Sequence, residues 1–290
     1  MNAGRILVSG ATGRVGGAAV RYLLEAGYEV RALVRSAGKG EGLRSLGAEP
    51  VIGDVTKPET LASALDGCAG VFSALSAGTR REAEEVEYRG NVNLLSAVQK
   101  AGVGRFVYNS ALLVDHPLAQ RVGTFREKAR FEEALLGSNG PSATVLRPVM
   151  FMETLLLALS GPVAFVLGHQ RHRVDWIPAS DVARAAVAAF EKEISGRYEL
   201  AGPDSATFDE AYHRFSRVRG KRITVLHPPL SMMRLAGHFS SQVEELASMF
   251  ALFEAAGYAS DSPALRETFG VEALTIEEWA GRVSQAPTAG

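Results

Sequence analysis

The stretch Gly10-Ala11-Thr12-Gly13-Arg14-Val15-Gly16 joins an apolar run, Arg5 to Ser9, to a segment with apolar residues at Val15, Ala18, Ala19, Tyr22 and Leu23. That second spacing predicts an amphipathic helix from Val15 to Glu25, and Ala26-Gly27 supplies a left-handed cap for its end. A strand, a glycine-rich turn and a helix in this order form a cradle for phosphate. Glycine permits the tight turn and a close backbone approach, and the helix N-terminus adds partial positive charge. The last glycine lets helix and strand pack closely. The spacing is G-x-x-G-x-x-G rather than G-x-G-x-x-G, so its position between strand and helix carries the reading. No Gly-Lys-Ser/Thr follows, which removes the triphosphate-binding P-loop as an alternative.

Outward from this turn, strand-like runs alternate with helix-length segments. Strands are expected at Glu29 to Val34, Glu49 to Ile52, Gly70 to Ser73, Arg105 to Asn109 and Ala143 to Leu146; helices at Pro58 to Leu65, Val86 to Lys100 and Phe125 to Leu136. That alternation is the pattern of an α/β protein, a doubly wound parallel sheet of Rossmann type with helices on both faces. Residues 1–150 form the expected nucleotide-binding domain. Residues 151–290 form a smaller C-terminal substrate lobe, with segments around 174–200 returning to pack on the first domain. Within that half, Ser180-Asp181 is expected to cap a helix from Val182 to Glu193, and Phe208 to Arg219 reads as another. Beyond Pro228-Pro229 the chain turns helical and Met-bearing.

With 290 residues, 31 Lys plus Arg against 32 Asp plus Glu, and 47% hydrophobic residues, the composition is that of a globular protein with a sizeable core. There is no global positive field, so nucleic acid is not an expected partner. The single cysteine, Cys68, excludes an internal disulfide and a Cys-rich zinc module, and fits a reducing cytoplasm. The N-terminal apolar run is too short for a signal peptide. Val149 to Gly168 approaches the length of a membrane span, but Glu153 and Ser160-Gly161-Pro162 divide it, so a buried helix, a loop and a strand are expected and no membrane association. His169 and His172 are spaced for one helix face. With no nearby cysteine and only Asp175 as an acid, no metal site is expected there. Glu244-Glu245 and Glu277-Glu278 read as solvated helix faces.

The end of the second strand, Val30 to Ser36, speaks to the nucleotide. An NAD site usually places an acid there for the ribose 2′-hydroxyl, and a cation there suits a 2′-phosphate. No acid is present; Arg35, with Arg14, Ser36 and Lys39 nearby, favours NADP, the alternative being that these are solvated loop cations.

The glycine spacing, Arg35, Gly53-Asp54-Val55 and Tyr108-Asn109-Ser110-Ala111 together resemble the short-chain dehydrogenase/reductase superfamily, and more specifically its atypical NmrA-like group. The resemblance continues through Lys128-Ala129-Arg130-Phe131, Thr144 to Glu153, Ile177 to Ala183, Tyr198 to Pro203 and Phe269 to Trp279. It implies a Rossmann-type domain with NADP across the strand ends. Gly10, Thr12, Gly13, Arg14 and Val15 would surround the phosphates, Arg35 the 2′-phosphate, and Asp54 and Val55 the adenine. Leu75 and Ser76 would lie on the nicotinamide ribose side with Lys128, and Pro148, Val149 and Phe151 beside the nicotinamide end.

One departure matters. Relatives of the ordinary type pair Tyr with Lys as Tyr-x-x-x-Lys, the phenol protonating the carbonyl; here Thr124 stands four residues before Lys128. Three readings remain. The first is an NADPH-dependent reductase acting on an apolar quinone, enone or aromatic or polyketide-type carbonyl compound. In it Lys128 orients the cofactor or donates a hydrogen bond, Ser110 orients a substrate oxygen, and His116 or water supplies the proton. The second is a non-catalytic NADP(H) sensor acting through a regulatory protein partner, as in the regulatory branch of the resembled family. The third is a cofactor-binding scaffold or isomerase-like relative. An apolar small molecule is the expected substrate, because Phe151, Leu155, Met233, Met249, Phe250 and Phe253 belong to the covering lobe. A homo-oligomer is compatible with the sequence.

Overall fold

The computed structural model describes residues 4–237, 240–260 and 262–285. Seven parallel strands make the central sheet: β1 (Arg5–Ser9), β2 (Glu29–Val34), β3 (Glu49–Ile52), β4 (Gly70–Ser73), β5 (Arg105–Asn109), β6 (Ser142–Pro148) and β7 (Gly196–Leu200). Their order is β7-β6-β5-β4-β1-β2-β3. The order reverses beside β1, and in open parallel sheets ligands bind at such a crevice, beyond the carboxyl ends of the strands. Isoleucine, leucine and valine at 6, 7 and 8 of β1 are wholly or almost wholly buried, as a strand covered on both faces requires.

The helices that position the site are α1 (Arg14–Glu25), α2 (Asn91–Ala101), α3 (Gly123–Leu136), α4 (Ala179–Glu191), α5 (Phe208–Arg219), α6 (Ser241–Ala256) and α7 (Ile276–Gln285). Helix α1 packs on α4 over one face of the sheet, in a core that includes Val15, Ala19, Leu23, Val182, Ala186 and Phe269. The other face carries a core of Leu7, Leu33, Leu94, Val98, Phe106 and Phe131, from strands β1, β2 and β5 and helices α2 and α3. A third core, built around Trp176, Phe208, Phe215, Phe250 and Phe253, fills the C-terminal lobe.

The six strands expected from sequence are present, β6 extending to Pro148. The structure differs elsewhere. Val149 to Gly168 contains only a one-turn helix at Thr154–Leu157 between short strands at Met150–Phe151, Leu159–Ser160 and Val163–Phe165. Met150–Phe151 pairs with Val174–Ile177, so backbone pairing consumes residues that the apolar run had suggested for a helix. The helix expected from Val86 begins as a π-helical turn, Ala83–Gly90, before α2. Helix α4 starts at Ala179 with Pro178 as its cap. Asp181 lies inside its first turn, where its carboxylate accepts from the Leu274 N–H at 2.8 Å and binds Arg184 at 2.8 Å. His169 and His172 lie in an irregular loop, not on a helix. Among the described residues, no helix is long and apolar enough to cross a membrane, and no group of three or more His, Cys, Asp or Glu is placed to hold a metal.

Candidate active site

The glycine-rich turn occupies the carboxyl end of β1. Gly10 has φ +73, and a Cβ there would stand 2.3 Å from Ala74 O; a Cβ on Gly16 would stand 2.1 Å from Gly10 O. These two glycines are therefore required by backbone contact alone, before any ligand is considered. Gly13 is different. It caps α1 without a side-chain hydrogen bond, and the first turn of α1 contains no acid, so the positive end of the helix dipole is left uncompensated.

Two cavities meet at this turn, sharing Thr12, Gly13, Ala74, Leu75 and Ser76. One, of about 550 Å³, runs over β2 and β3 and is lined by Arg35, Lys39, Asp54 and Val55. Arg35 and Lys39 are exposed, and Arg35 makes no ion pair among the described residues. The Asp54 carboxylate accepts from the Thr56 N–H at 2.9 Å and the Thr56 hydroxyl at 2.8 Å. Burial opposes its charge, but these two bonds and the nearby Lys57 and Arg35 hold its pKa below the usual carboxylate range. The second cavity, of about 900 Å³, passes Arg14, Val15, Ser110 and Lys128 and continues along Val149, Phe151 and the C-terminal lobe. A bent groove with cations at one end, an uncompensated helix N-terminus in the middle and an apolar chamber at the other fits a phosphorylated dinucleotide.

Lys128, from α3, is almost buried. Its ammonium donates to Asn109 O at 3.1 Å and lies 3.0 Å from Glu87 Oε2. Glu87 is fully buried in the π-helical turn, and its Oε1 accepts from the Ala77 N–H at 2.9 Å. Burial raises the Glu87 pKa, against the opposing pull of Lys128. The sequence concealed this partner, because Glu84 and Glu85 beside it make it look like part of a solvated run.

Ser110 follows β5 and lines the large cavity, yet its hydroxyl donates to Glu132 Oε1 in a short bond. Glu132 also holds Arg147 through a bond of 2.6 Å and Arg197 at 3.0 Å, while Arg147 reaches Asp115 at 2.7 Å. The Ser110 proton is thus already committed to a buried charge network. His116 sits apart from the cavity lining. Its Nδ1 accepts from the Leu118 N–H at 3.2 Å and caps the short helix Pro117–Arg121. Ser36 and Pro148 also lie outside the two linings; Ser36 caps the turn after β2 and Pro148 ends β6. Thr124 donates its N–H to Glu245 Oε1 at 2.8 Å, so the position of the absent tyrosine faces α6.

Two tyrosines bear on that absence. Tyr108 is buried edge-on against Phe131 at 4.8 Å, within the sheet's helix-covered face. Tyr258, after α6, lines the large cavity and packs edge-on against Phe253 at 4.0 Å. Both hydroxyls are buried without a hydrogen-bond partner among the described residues, and burial raises both pKa values well above the usual phenol value. Sequence reasoning passed over Tyr258, which reaches the site through a backbone bridge to Val174.

A third concavity, of about 430 Å³, is lined by Arg173, Asp209, Glu210, His213 and Arg214. Its charges pair with one another and with neighbours, as Arg173 with Glu210 at 2.9 Å and Arg214 with Asp204 at 2.8 Å.

Sheet order and groove together define a Rossmann-type α/β protein with an added lobe over the switch point. The chain belongs to the NmrA-like family, whose pattern it matches over residues 2–281. It is 28% identical to the photosystem II assembly factor Ycf39 of Synechocystis across 96% of this chain and 91% of that protein. It is 29% identical to an NAD(P)H azoreductase of Xenophilus azovorans across 83% of each. An NADPH-dependent quinone oxidoreductase of Escherichia coli, solved with NADPH, superposes with a TM-score of 0.79 at 23% identity, covering 96% of this chain and 99% of that one. That last likeness is one of fold.

Proposed function

We propose that this protein is an NADPH-dependent reductase that passes hydride to an apolar small molecule bearing a conjugated or carbonyl group, such as a quinone, an enone or an aromatic or polyketide-type carbonyl compound. The observation that carries the reading is the junction of the two cavities at the glycine turn, with Arg35 and Lys39 at one end and Lys128 with an apolar wall at the other. When bound, NADPH supplies a hydride from its nicotinamide ring. The N-terminus of α1 receives the pyrophosphate, and Arg35 with Lys39 receives the 2′-phosphate. Lys128 has two of its three donors directed at Asn109 and Glu87, which fixes the third for a ribose or substrate oxygen. The lobe shields the Lys128 end of the cavity from bulk solvent, so the ammonium acts in a medium where its charge counts for more. Water provides the proton, since His116 is spent on a cap and Ser110 on Glu132.

The named relatives support the reductase reading: one is an NAD(P)H azoreductase, and a structural neighbour is a quinone oxidoreductase. The assembly factor, similar over nearly the whole chain and bearing no reductase name, supports a second reading as an NADP(H) sensor acting on a protein partner. Anaerobic NADPH oxidation against quinones, enones and aromatic ketones separates the two. Turnover that falls at least about tenfold in Lys128→Ala is the expected result. Tight NADP binding without turnover of any acceptor would favour the sensor.

A further inference from the structure

The large cavity is unevenly built. Its only charged lining residues, among those described, are Arg14 and Lys128, both at the glycine-turn end. Beyond Phe151 the wall is almost wholly apolar, and among the described residues Thr154, Ser160 and Tyr258 bring its only polar side chains. At about 900 Å³ it is near the upper end of the roughly 300–1,000 Å³ usual for small-molecule sites.

The mouth is apolar too. Leu157, Phe165 and Leu246 line the cavity while remaining 64%, 44% and 38% exposed, which places them where it opens to solvent. Leu226, also exposed, is the strand neighbour of Phe165, and exposed Met232 precedes the lining residue Met233. Other large exposed apolar side chains among the described residues, such as Leu46, Ile52, Leu136 and Val218, line none of the three cavities. A cluster continuous with a ligand chamber marks a surface that a ligand covers.

We propose that the acceptor is a ring carrying a flexible apolar tail of isoprenoid or alkyl type, the ring lying toward Lys128 and the tail leaving between Leu157, Phe165 and Leu246. This rests on the reductase reading above, and it assigns the outer half of the same site. A compact bicyclic acceptor would leave the far chamber and the mouth wet, whereas a tail covers both and needs no hydrogen bonds from walls that offer almost none. The chemistry at the ring is unchanged: a hydride from NADPH adds to the ring system, water protonates the oxygen, and the tail takes no part.

The test is calorimetric binding of ubiquinone homologues with no, one and two isoprene units to protein loaded with NADP⁺, where no turnover occurs. Affinity is expected to rise about tenfold per unit, less than full burial of each unit would give because the mouth is partly open. The variant Leu157→Ser/Phe165→Ser changes two exposed side chains and should fold normally. It is expected to reduce the gain to about twofold per unit while leaving the tail-less quinone unaffected. Equal affinity for the three quinones, no binding of any, or equal weakening of tailed and tail-less quinones in the variant would overturn the proposal. So would tail-independent binding accompanied by co-sedimentation with phosphatidylcholine vesicles that the variant abolishes, since the mouth would then be a bilayer contact. Failure of the reductase reading is seen separately, as absent NADPH oxidation in protein whose binding still follows tail length.

Discussion

The Lys128 ammonium lies 3.0 Å from the carboxylate of Glu87, and both side chains are nearly or wholly removed from water. A buried pair of this kind cannot lose one member cheaply, because the other stays charged in a poor solvent. Lys128→Met should therefore cost about 3 kcal/mol or more in urea unfolding at neutral pH, because it leaves Glu87 buried without its counter-charge. The pH dependence has a defined sign. Burial raises the Glu87 pKa, so the fold favours its protonated form. Its contribution is full below the ordinary carboxylate pKa and is lost as pH rises through the elevated value. The wild type should show this loss, and Glu87→Gln should not; identical slopes for the two proteins would show that Glu87 does not titrate in this way.

Arg35 lines the end of the groove that the proposed function gives to the 2′-phosphate, and it makes no ion pair among the described residues. Arg35→Ala should weaken NADPH about tenfold to a hundredfold and leave NADH nearly unchanged, as loss of a charge-assisted bond to phosphate predicts. Fluorescence titration with both nucleotides measures the ratio. A protein that already binds NADH more tightly than NADPH would remove Arg35 from this role.

Ser110 donates its proton to Glu132, which Arg147 and Arg197 also hold. Ser110→Ala should lower stability by about 1–3 kcal/mol, as loss of a bond to a buried charge does, and change kcat by no more than a few-fold. A loss of a hundredfold or more in kcat with intact folding would show that the hydroxyl turns toward substrate.

The Tyr258 hydroxyl is buried with no partner among the described residues. Removing an unsatisfied polar atom while keeping the ring should be neutral or stabilising, so Tyr258→Phe should keep or raise Tm by up to a few degrees. A fall in Tm would reveal a bond to a bound water. Measured again with acceptor and NADP⁺ present, the same variant would show whether substrate supplies the missing partner.

Much of the sheet was legible because its strands are short and mostly apolar, and β1, β2, β3, β4 and β5 end where the sequence places their boundaries. Strand β7 escaped notice as a strand because Arg197 and Glu199 interrupt it; it lies at the sheet edge, where one side of the chain faces solvent and tolerates charge. The glycine turn, Arg35 and Lys128 were read from spacing, and the structure sets them along one groove. His116 was named from its closeness to Ser110 in sequence, but it lies outside the groove lining, because its ring caps the short helix that follows it. Glu87 and Tyr258 carry no local signature. Burial decides their character, and burial is created by segments distant in the chain.

The pairing of β7 onto β6 has a consequence for how the molecule comes apart. Residues 196–200 supply the outer strand of the nucleotide-binding sheet, and Arg197 helps neutralise Glu132 in its interior. A truncation after residue 150 would strip an edge from the sheet, a cation from a buried carboxylate and α4 from the flank of α1. The two halves named from sequence are therefore expected to unfold as one cooperative unit. Heat should melt them in a single transition, and proteolysis should find no seam between them that releases a folded nucleotide-binding fragment.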